Sequence, residues 1–246
     1  MGRITDTIKV LLIINVIFFV GTMVIGDYTY KLFSLWFFQN DNFGIWQILT
    51  HMFMHGSFMH ILFNMYALWA FGGPIEQMLG QKKFLFFYFS CGIGAALIHS
   101  LVNYFHVQSG YNALLDAGVT PGTIQQLLET GYTQGIPTTI PRDTLQDMFT
   151  AYNTPAVGAS GAIYGILVAF GMLFPNVALF LLFVPVPIKA KIFIPVLIAI
   201  DLFSGITGYS LFGGGIAHFA HVGGALFGFI MMWYWKKNQF NENRWN

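Results

Sequence analysis

Apolar positions gather into six runs along the chain, at roughly residues 8–25, 57–79, 84–103, 157–174, 190–206 and 217–235. Each is close to the ~20 apolar residues a helix needs to cross the hydrocarbon core of a bilayer. The pattern predicts an all-α membrane protein, a bundle of six transmembrane helices forming one domain over residues 1–246. One connection is long. Residues 104–156, between the third and fourth runs, read as an extramembrane loop insertion. Within it, "TIQQLLET" and "PRDTLQDMFTAY" are predicted short helices, the second with Pro141 near its start, where proline costs no helical hydrogen bond. A connection of this length in a compact protein is either functional or disordered.

Composition supports immersion in lipid. The chain is 56% apolar and 9% charged, with mean hydropathy +0.63, whereas soluble domains carry roughly 25% charged residues. A net charge of +1 implies no nucleic-acid partner, and the single cysteine, Cys91, excludes an internal disulfide. The first run follows Arg3 and Lys9, as in a signal peptide. It is too long for such a segment and ends in "VIGDYTYK" without a small-residue cleavage site, so an uncleaved first span is expected. Lys and Arg accumulate on the cytoplasmic side of membrane proteins. With the N-terminus inside, the inner face receives Arg3, Lys9, Lys82, Lys83, Lys189, Lys191, Lys236, Lys237 and Arg244, and the outer face only Lys31 and Arg142. Both termini are therefore expected inside. A bacterial cytoplasmic membrane is the expected location, since no transit segment is recognisable.

Polar side chains within such runs need a physical reason, because lipid cannot solvate them. Four stand out: His60, Asn64, Ser160 and His221. They lie on the second, fourth and sixth runs, which all pass from outside to inside, and each falls in the first third of its run. Three distant segments thus bring polar groups to one depth. His60 and Asn64 are four apart and share a helix face, as do Ser160 and Tyr164. Gly224 and Gly228 share the face of His221, and Gly161 and Gly165 make a similar pair beside the serine. Small residues spaced by four let backbones approach closely, which would bring the His221 imidazole to the Ser160 hydroxyl as a base to a nucleophile. Ser160 also sits near the N-terminus of its helix, where unpaired N–H groups favour developing negative charge. Asn64 or His60 could donate further hydrogen bonds to an oxyanion. No carboxylate is evidently placed to orient His221; Asp201 lies near the outer end of the fifth run with no identifiable partner. The residues therefore predict a Ser–His dyad, with Tyr164 packed on the imidazole.

The segments "WQILTHMFMHGSFMHILFNM", "FGGPIEQMLG", "GASGAIYG" and "AHVGGALFG", in this order, resemble the rhomboid family of intramembrane serine proteases. The resemblance covers five of the six runs. It implies a rhomboid-type six-helix bundle that cleaves transmembrane substrates near their outer ends, without metal or cofactor. Ser160 would be the nucleophile and His221 the general base; His60, Asn64 and Ser160 would form the oxyanion site, and Gly158, Tyr164, Gly224 and Gly228 would support it. The fifth run, "KIFIPVLIAIDLF", and the loop after it would be the substrate gate. Two departures are visible. Trp46-Gln47 stands where the family often has Trp-Arg, which touches loop anchoring rather than chemistry, and the 104–156 connection exceeds that of the simplest members.

The same residues admit blander roles. Ser160 alone would be an ordinary packing residue bonded to its own helix; beside the other three it is not. His51 and His55 are four apart but lack the neighbouring glutamate of a metalloprotease helix, so they read as loop anchors. His99 and His106 read as interfacial, and "FVPVPIK" as an inner connection. His218 lies one turn nearer the outer water than His221, and the glycine spacing fits only His221. A catalytically inactive relative that binds and directs membrane clients is the alternative function, opposed by the intact Ser160 and His221. A transporter is opposed by the absence of repeated halves. The sequence leaves substrate and oligomeric state open.

The charge asymmetry yields a direct test. In a Cys91→Ala background, single cysteines at Thr130 and Asn238 should react with an impermeant thiol reagent from opposite sides of a sealed membrane. Reaction of both from one side would remove the six-span topology.

Overall fold

The computed structural model describes residues 4–181, 184–209 and 217–238. In chain order the helices are α1 (Asp6–Ile25), α2 (Asp27–Phe33), α3 (Gln47–Thr50), α4 (Phe58–Ala67), α5 (Gly73–Leu79), α6 (Gln81–Asp116), α7 (Pro121–Thr130), α8 (Arg142–Asn153), α9 (Ser160–Leu173), α10 (Ala190–Thr207) and α11 (His218–Asn238). A short 3₁₀ turn, His51–Phe53, follows α3, and a π-helical turn, Leu68–Gly72, joins α4 to α5 into one continuous helical run. All six apolar runs are thus helical. Among the described residues, α1, α6 and α10 are long and apolar enough to cross a membrane, while α9 has 14 residues.

Burial separates two surroundings. One core, with Phe84, Phe87, Tyr88, Cys91, Ile163, Ile166, Ala225 and Met232, lies where α6, α9 and α11 meet, with α1, α5 and α10 around them. The outward faces remain apolar: Val16, Ile17, Val20 and Met23 on α1, and Ile192, Val196 and Phe203 on α10, are exposed. Apolar belts of this extent belong to a surface immersed in lipid.

The 104–156 segment differs from the predicted loop. Its first part is helix, because α6 continues without a break to Asp116, 36 residues or about 54 Å in all. Val107, Tyr111 and Leu114 keep an i, i+4, i+7 stripe through the polar stretch and pack against α8. Gly110 lets Met148 approach: a Cβ there would meet the Met148 Cβ at 2.7 Å. The helix stops where Gly118 adopts φ +80°, with Gly118 N–H on the Leu115 carbonyl and Val119 N–H on that of Leu114. Helix α7 starts on a Thr120 side-chain cap with Pro121 behind it. Together α7, α8 and the end of α6 enclose a second small core around Ile124, Leu127, Leu128 and Met148. The insertion is ordered.

This small unit grips the segment between α2 and α3. Asn40 Nδ2 donates to the Tyr152 carbonyl (2.9 Å), Tyr152 OH donates to the Gln39 carbonyl (3.1 Å), and Leu35 and Ala156 exchange backbone bonds as an isolated bridge. The segment is also held by Gln47, which is fully buried. Its Nε2 donates to the carbonyls of Lys31, Leu32 and Asn42, and its Oε1 accepts from Trp36 N–H. One neutral amide thus performs the anchoring that the departure at position 47 put in question.

The fold is mostly helical, as expected, with one local exception. The connection before α10 contains a two-stranded antiparallel hairpin, β1 (Ala178–Leu181) with β2 (Val184–Lys189), paired Ala178 with Lys189 and Leu181 with Val184. "FVPVPIK" read as an undefined connection because its prolines conceal strand character; at a two-stranded edge a missing N–H is tolerated. The loop after α10, named in the expected gate, falls largely on residues 210–216, outside the described residues, as do Arg3 and Arg244 of the charge count.

Gln47→Ala would empty a fully buried site and take the Gln47 partner from the Asn42 carbonyl and the Trp36 N–H, while the Lys31 and Leu32 carbonyls keep the indole donors of Trp36 and Trp46. It should cost roughly 2–4 kcal/mol in equilibrium unfolding in mixed detergent micelles. A loss below about 0.5 kcal/mol would show that the segment is held by other contacts.

Candidate active site

The site depends on how closely α9 and α11 approach. A Cβ added to Gly224 would lie 1.8 Å from the Gly161 carbonyl oxygen, and one added to Gly228 would lie 2.6 Å from Gly165 Cα. On the other side of α9, a Cβ at Gly161 would meet Ala95 of α6 at 2.4 Å, and one at Gly165 would meet Cys91 at 2.3 Å. Backbone touches backbone along the face read from the sequence, and no larger side chain fits.

Ser160 is the first residue of α9 and His221 lies one turn into α11. Their close packing sets Ser160 Oγ 2.8 Å from His221 Nε2. Tyr164, one turn below the serine, stacks on the imidazole with ring centroids 4.3 Å apart and planes 12° from parallel. The other ring nitrogen, Nδ1, lies 3.1 Å from Asp201 Oδ1 on α10. A carboxylate oxygen accepts, so Nδ1 carries the hydrogen, and Nε2 presents its lone pair to the serine hydroxyl.

Asp201 is the site residue that sequence reasoning left without a partner. It is buried, with a side chain 5% exposed, and takes three donors. Its Oδ1 receives His221 Nδ1–H and also His218 Nδ1–H at 2.6 Å, and its Oδ2 receives the Tyr164 hydroxyl. The expected dyad is therefore in contact with a carboxylate. The reading of His218 changes as well. Instead of facing outer water it is 10% exposed at the side chain and paired to Asp201.

The opposite wall comes from α4 and the turn before α9. Gly158 has φ +124°, a region closed to side-chain-bearing residues, and its N–H binds the His51 carbonyl (2.9 Å). A Cβ there would lie 2.8 Å from His60 Nε2 and 3.4 Å from Ser160 Oγ. The missing side chain leaves a notch between imidazole and hydroxyl. His60 enters it one turn into α4, whose start is capped when Ser57 Oγ accepts the His60 N–H. Asn64 is buried one turn below, its Nδ2 donating to the His60 carbonyl (3.0 Å). Its direct reach into the notch is not part of this arrangement.

The remaining histidines are structural neighbours. His51 is buried, which pushes its pKa down to about 4, and its Nδ1–H donates to the Gln47 carbonyl (2.8 Å). His55 binds the Phe53 carbonyl at 3.3 Å and meets the His60 ring edge-on at 5.0 Å. Both anchor the loop, and His55 additionally buttresses His60. His99, read as interfacial, is partly buried and accepts from Asn103 Nδ2 at 3.1 Å. For metal binding, Asp201, His218 and His221 form the grouping found among the described residues, with ligand atoms within 4.8 Å of one another. Both imidazole Nδ1 atoms already donate to the carboxylate, so the cluster's polar demand is met by hydrogen bonds.

Against known proteins, residues 42–119 and 139–238 match the description of the Rhomboid domain. A rhomboid protease GlpG of Salmonella choleraesuis (strain SC-B67) is 38% identical over 77 residues, 31% of this chain and 28% of that protein. The GlpG of Salmonella typhi is 39% identical over 71 residues, 28% of this chain and 26% of that protein. Rhomboid protein 1, mitochondrial, of Saccharomyces cerevisiae is 27% identical over 190 residues, 77% of this chain and 42% of that protein. The chain thus spans less than half the length of these curated relatives.

The glycine contact predicts a sharp sensitivity. Gly224→Ala should push α11 from α9, lower stability by about 1–3 kcal/mol as an overpacked contact does, and remove reaction of Ser160 with a fluorophosphonate. Gly21→Ala, where a Cβ meets nothing within 4 Å, is the control. Labelling of Gly224→Ala at half the wild-type rate or more would refute the backbone-contact account.

Proposed function

The chain belongs to the rhomboid family, and from that premise we propose that it is an intramembrane serine endopeptidase that cleaves transmembrane-helix substrates near the outer membrane face. The observation that carries the reading is the 2.8 Å contact between Ser160 Oγ and His221 Nε2, in the tautomer that leaves Nε2 free to accept. In the proposed reaction Ser160 Oγ bonds to the scissile carbonyl carbon while its proton passes to Nε2. The carbonyl oxygen becomes an oxyanion in the notch at Gly158, where the Ser160 N–H, His60 and, after turning from its own helix, Asn64 can donate. The imidazolium then protonates the leaving amine as the C–N bond breaks. Water then bonds to the acyl carbon as the same Nε2 takes its proton, and the imidazolium returns that proton to Ser160 Oγ as the acyl C–Oγ bond breaks. None of these steps requires a metal or cofactor.

The six helical runs support a six-span topology with both termini on the cytoplasmic face, as the Lys and Arg distribution indicates. The Salmonella relatives agree with a bacterial cytoplasmic membrane; the yeast relative, named mitochondrial, makes an organellar membrane the other candidate. The ordered 104–156 unit stands beside the mouth of the site, since its end leads through Ala156 and Gly158 into Ser160. We assign it to substrate admission rather than to chemistry.

In liposomes containing a generic transmembrane substrate, Ser160→Ala should abolish cleavage, and a fluorophosphonate should add its mass at Ser160 of the wild type. Asn64→Ala should reduce turnover by about 10²–10³-fold, the usual cost of one oxyanion donor, and chelators should leave it unchanged. His221→Ala should eliminate cleavage and labelling, whereas His218→Ala should retain a measurable part of both. Full activity of Ser160→Ala would overturn the reading. A dead His218→Ala beside an active His221→Ala would overturn the assigned base.

A further inference from the structure

We propose that Asp201 is a positioning residue for the general base, so that the site works as a Ser160–His221–Asp201 relay rather than as a dyad. The inference rests on the protease reading and extends it to a residue on a third helix. A buried carboxylate in a lipid-embedded bundle is costly unless its lone pairs are used. Here both oxygens are committed: Oδ1 to His221 and His218, and Oδ2 to Tyr164. Two of these donors touch the chemistry directly. His221 is the base, and Tyr164 is the ring stacked on it.

The geometry gives the carboxylate two tasks. Accepting from Nδ1 excludes the other tautomer, in which Nε2 would carry hydrogen and could not take the serine proton. A fixed negative charge 3.1 Å from Nδ1 also favours the imidazolium that forms when Ser160 attacks. Tyr164 and His218 complete the carboxylate's shell. The phenol holds Oδ2, and the second imidazole donates to the same oxygen as the base, fixing the carboxylate's rotation toward His221.

A stacked Tyr164 alone would set the plane of the ring but not which nitrogen bears hydrogen. Nor is Asp201 needed as packing, because a leucine of similar size would be far cheaper at this depth. What the site obtains from aspartate is charge and directed acceptance.

The test separates positioning from structure. Asp201→Asn, Asp201→Glu and Asp201→Ala would be assayed in liposomes for kcat and KM, and for the rate of fluorophosphonate labelling at Ser160. Asp201→Asn should lower kcat and labelling together by roughly 100-fold or more, since replacing the aspartate of a serine-protease triad in this way costs up to ~10⁴. KM should stay within about twofold, because uniform substrate binding is untouched. Asp201→Glu should regain part of the loss that Asp201→Ala does not. A structural role would instead raise KM, reduce labelling only in proportion to folded protein, and make Glu no better than Ala. That pattern, or a folded Asp201→Asn with more than half the wild-type kcat, overturns the proposal. Should the variants not fold, ¹⁵N-histidine NMR of the wild type decides, with His221 assigned by difference from His221→Gln. The Nδ1–H tautomer supports the relay and the Nε2–H tautomer overturns it. A wild type that neither cleaves nor labels at Ser160 would overturn the protease reading itself, and the relay with it.

Discussion

The contact between the backbones of α9 and α11 is the constraint from which the rest of the site follows. At the distances that Gly161, Gly165, Gly224 and Gly228 allow, the helices have no side-chain layer between them. In lipid there is little hydrophobic gain in bringing two helices together, so close van der Waals packing must supply the attraction. That requirement fixes the rotation of both helices. Once the glycines face each other, Ser160 and His221 have nowhere to point but toward one another. The Ser160–His221 distance is thus a by-product of the packing solution, and α6 seals the other side of α9 with Ala95 and Cys91.

A polar cluster inside such a bundle must satisfy itself. The chain distributes the task so that each group used in the proposed chemistry is held by another element. Gly158 takes its shape from a bond to the His51 carbonyl, His51 is tied to Gln47, and Gln47 holds three carbonyls of the preceding segment. Above this chain the α7–α8 unit clamps residues 39 and 40 through Tyr152. The 104–156 unit and the loop before α4 are therefore joined through these bonds. The unit's order comes from an apolar core of its own rather than from the membrane.

Much of this was legible from residue spacing. Period-four small residues follow from helical geometry within one run, and the depth shared by His60, Asn64, Ser160 and His221 from counting position along each run. What escaped was the rotation of helices that carry no small-residue face to fix it. Asp201 could be seen as a polar residue in an apolar helix, but the rotation of α10 about its axis leaves no trace in a run that is apolar on every side. His218 was misjudged for the same reason, because depth was counted along the helix while burial depends on the neighbour across it. The extension of α6 was missed because polar residues masked a continuing apolar stripe, and the β1–β2 hairpin because prolines read as irregular chain.

The position of Asp201 also bears on how access and chemistry are combined. Of the 18 residues of α10, only Ala190, Ile194, Asp201 and Ser204 are buried. Between α10 and the α9–α11 pair lies an apolar crevice of about 610 Å³, lined by Gly171, Pro195, Ile198, Leu226 and Phe229 among others. Contacts that seat the helix include Ile194 against Gly171 near one end, and Gly205 against Phe219 with the Asp201 cluster near the other. Displacement of α10 would therefore withdraw the carboxylate from His221. An open site would then hold an unoriented base.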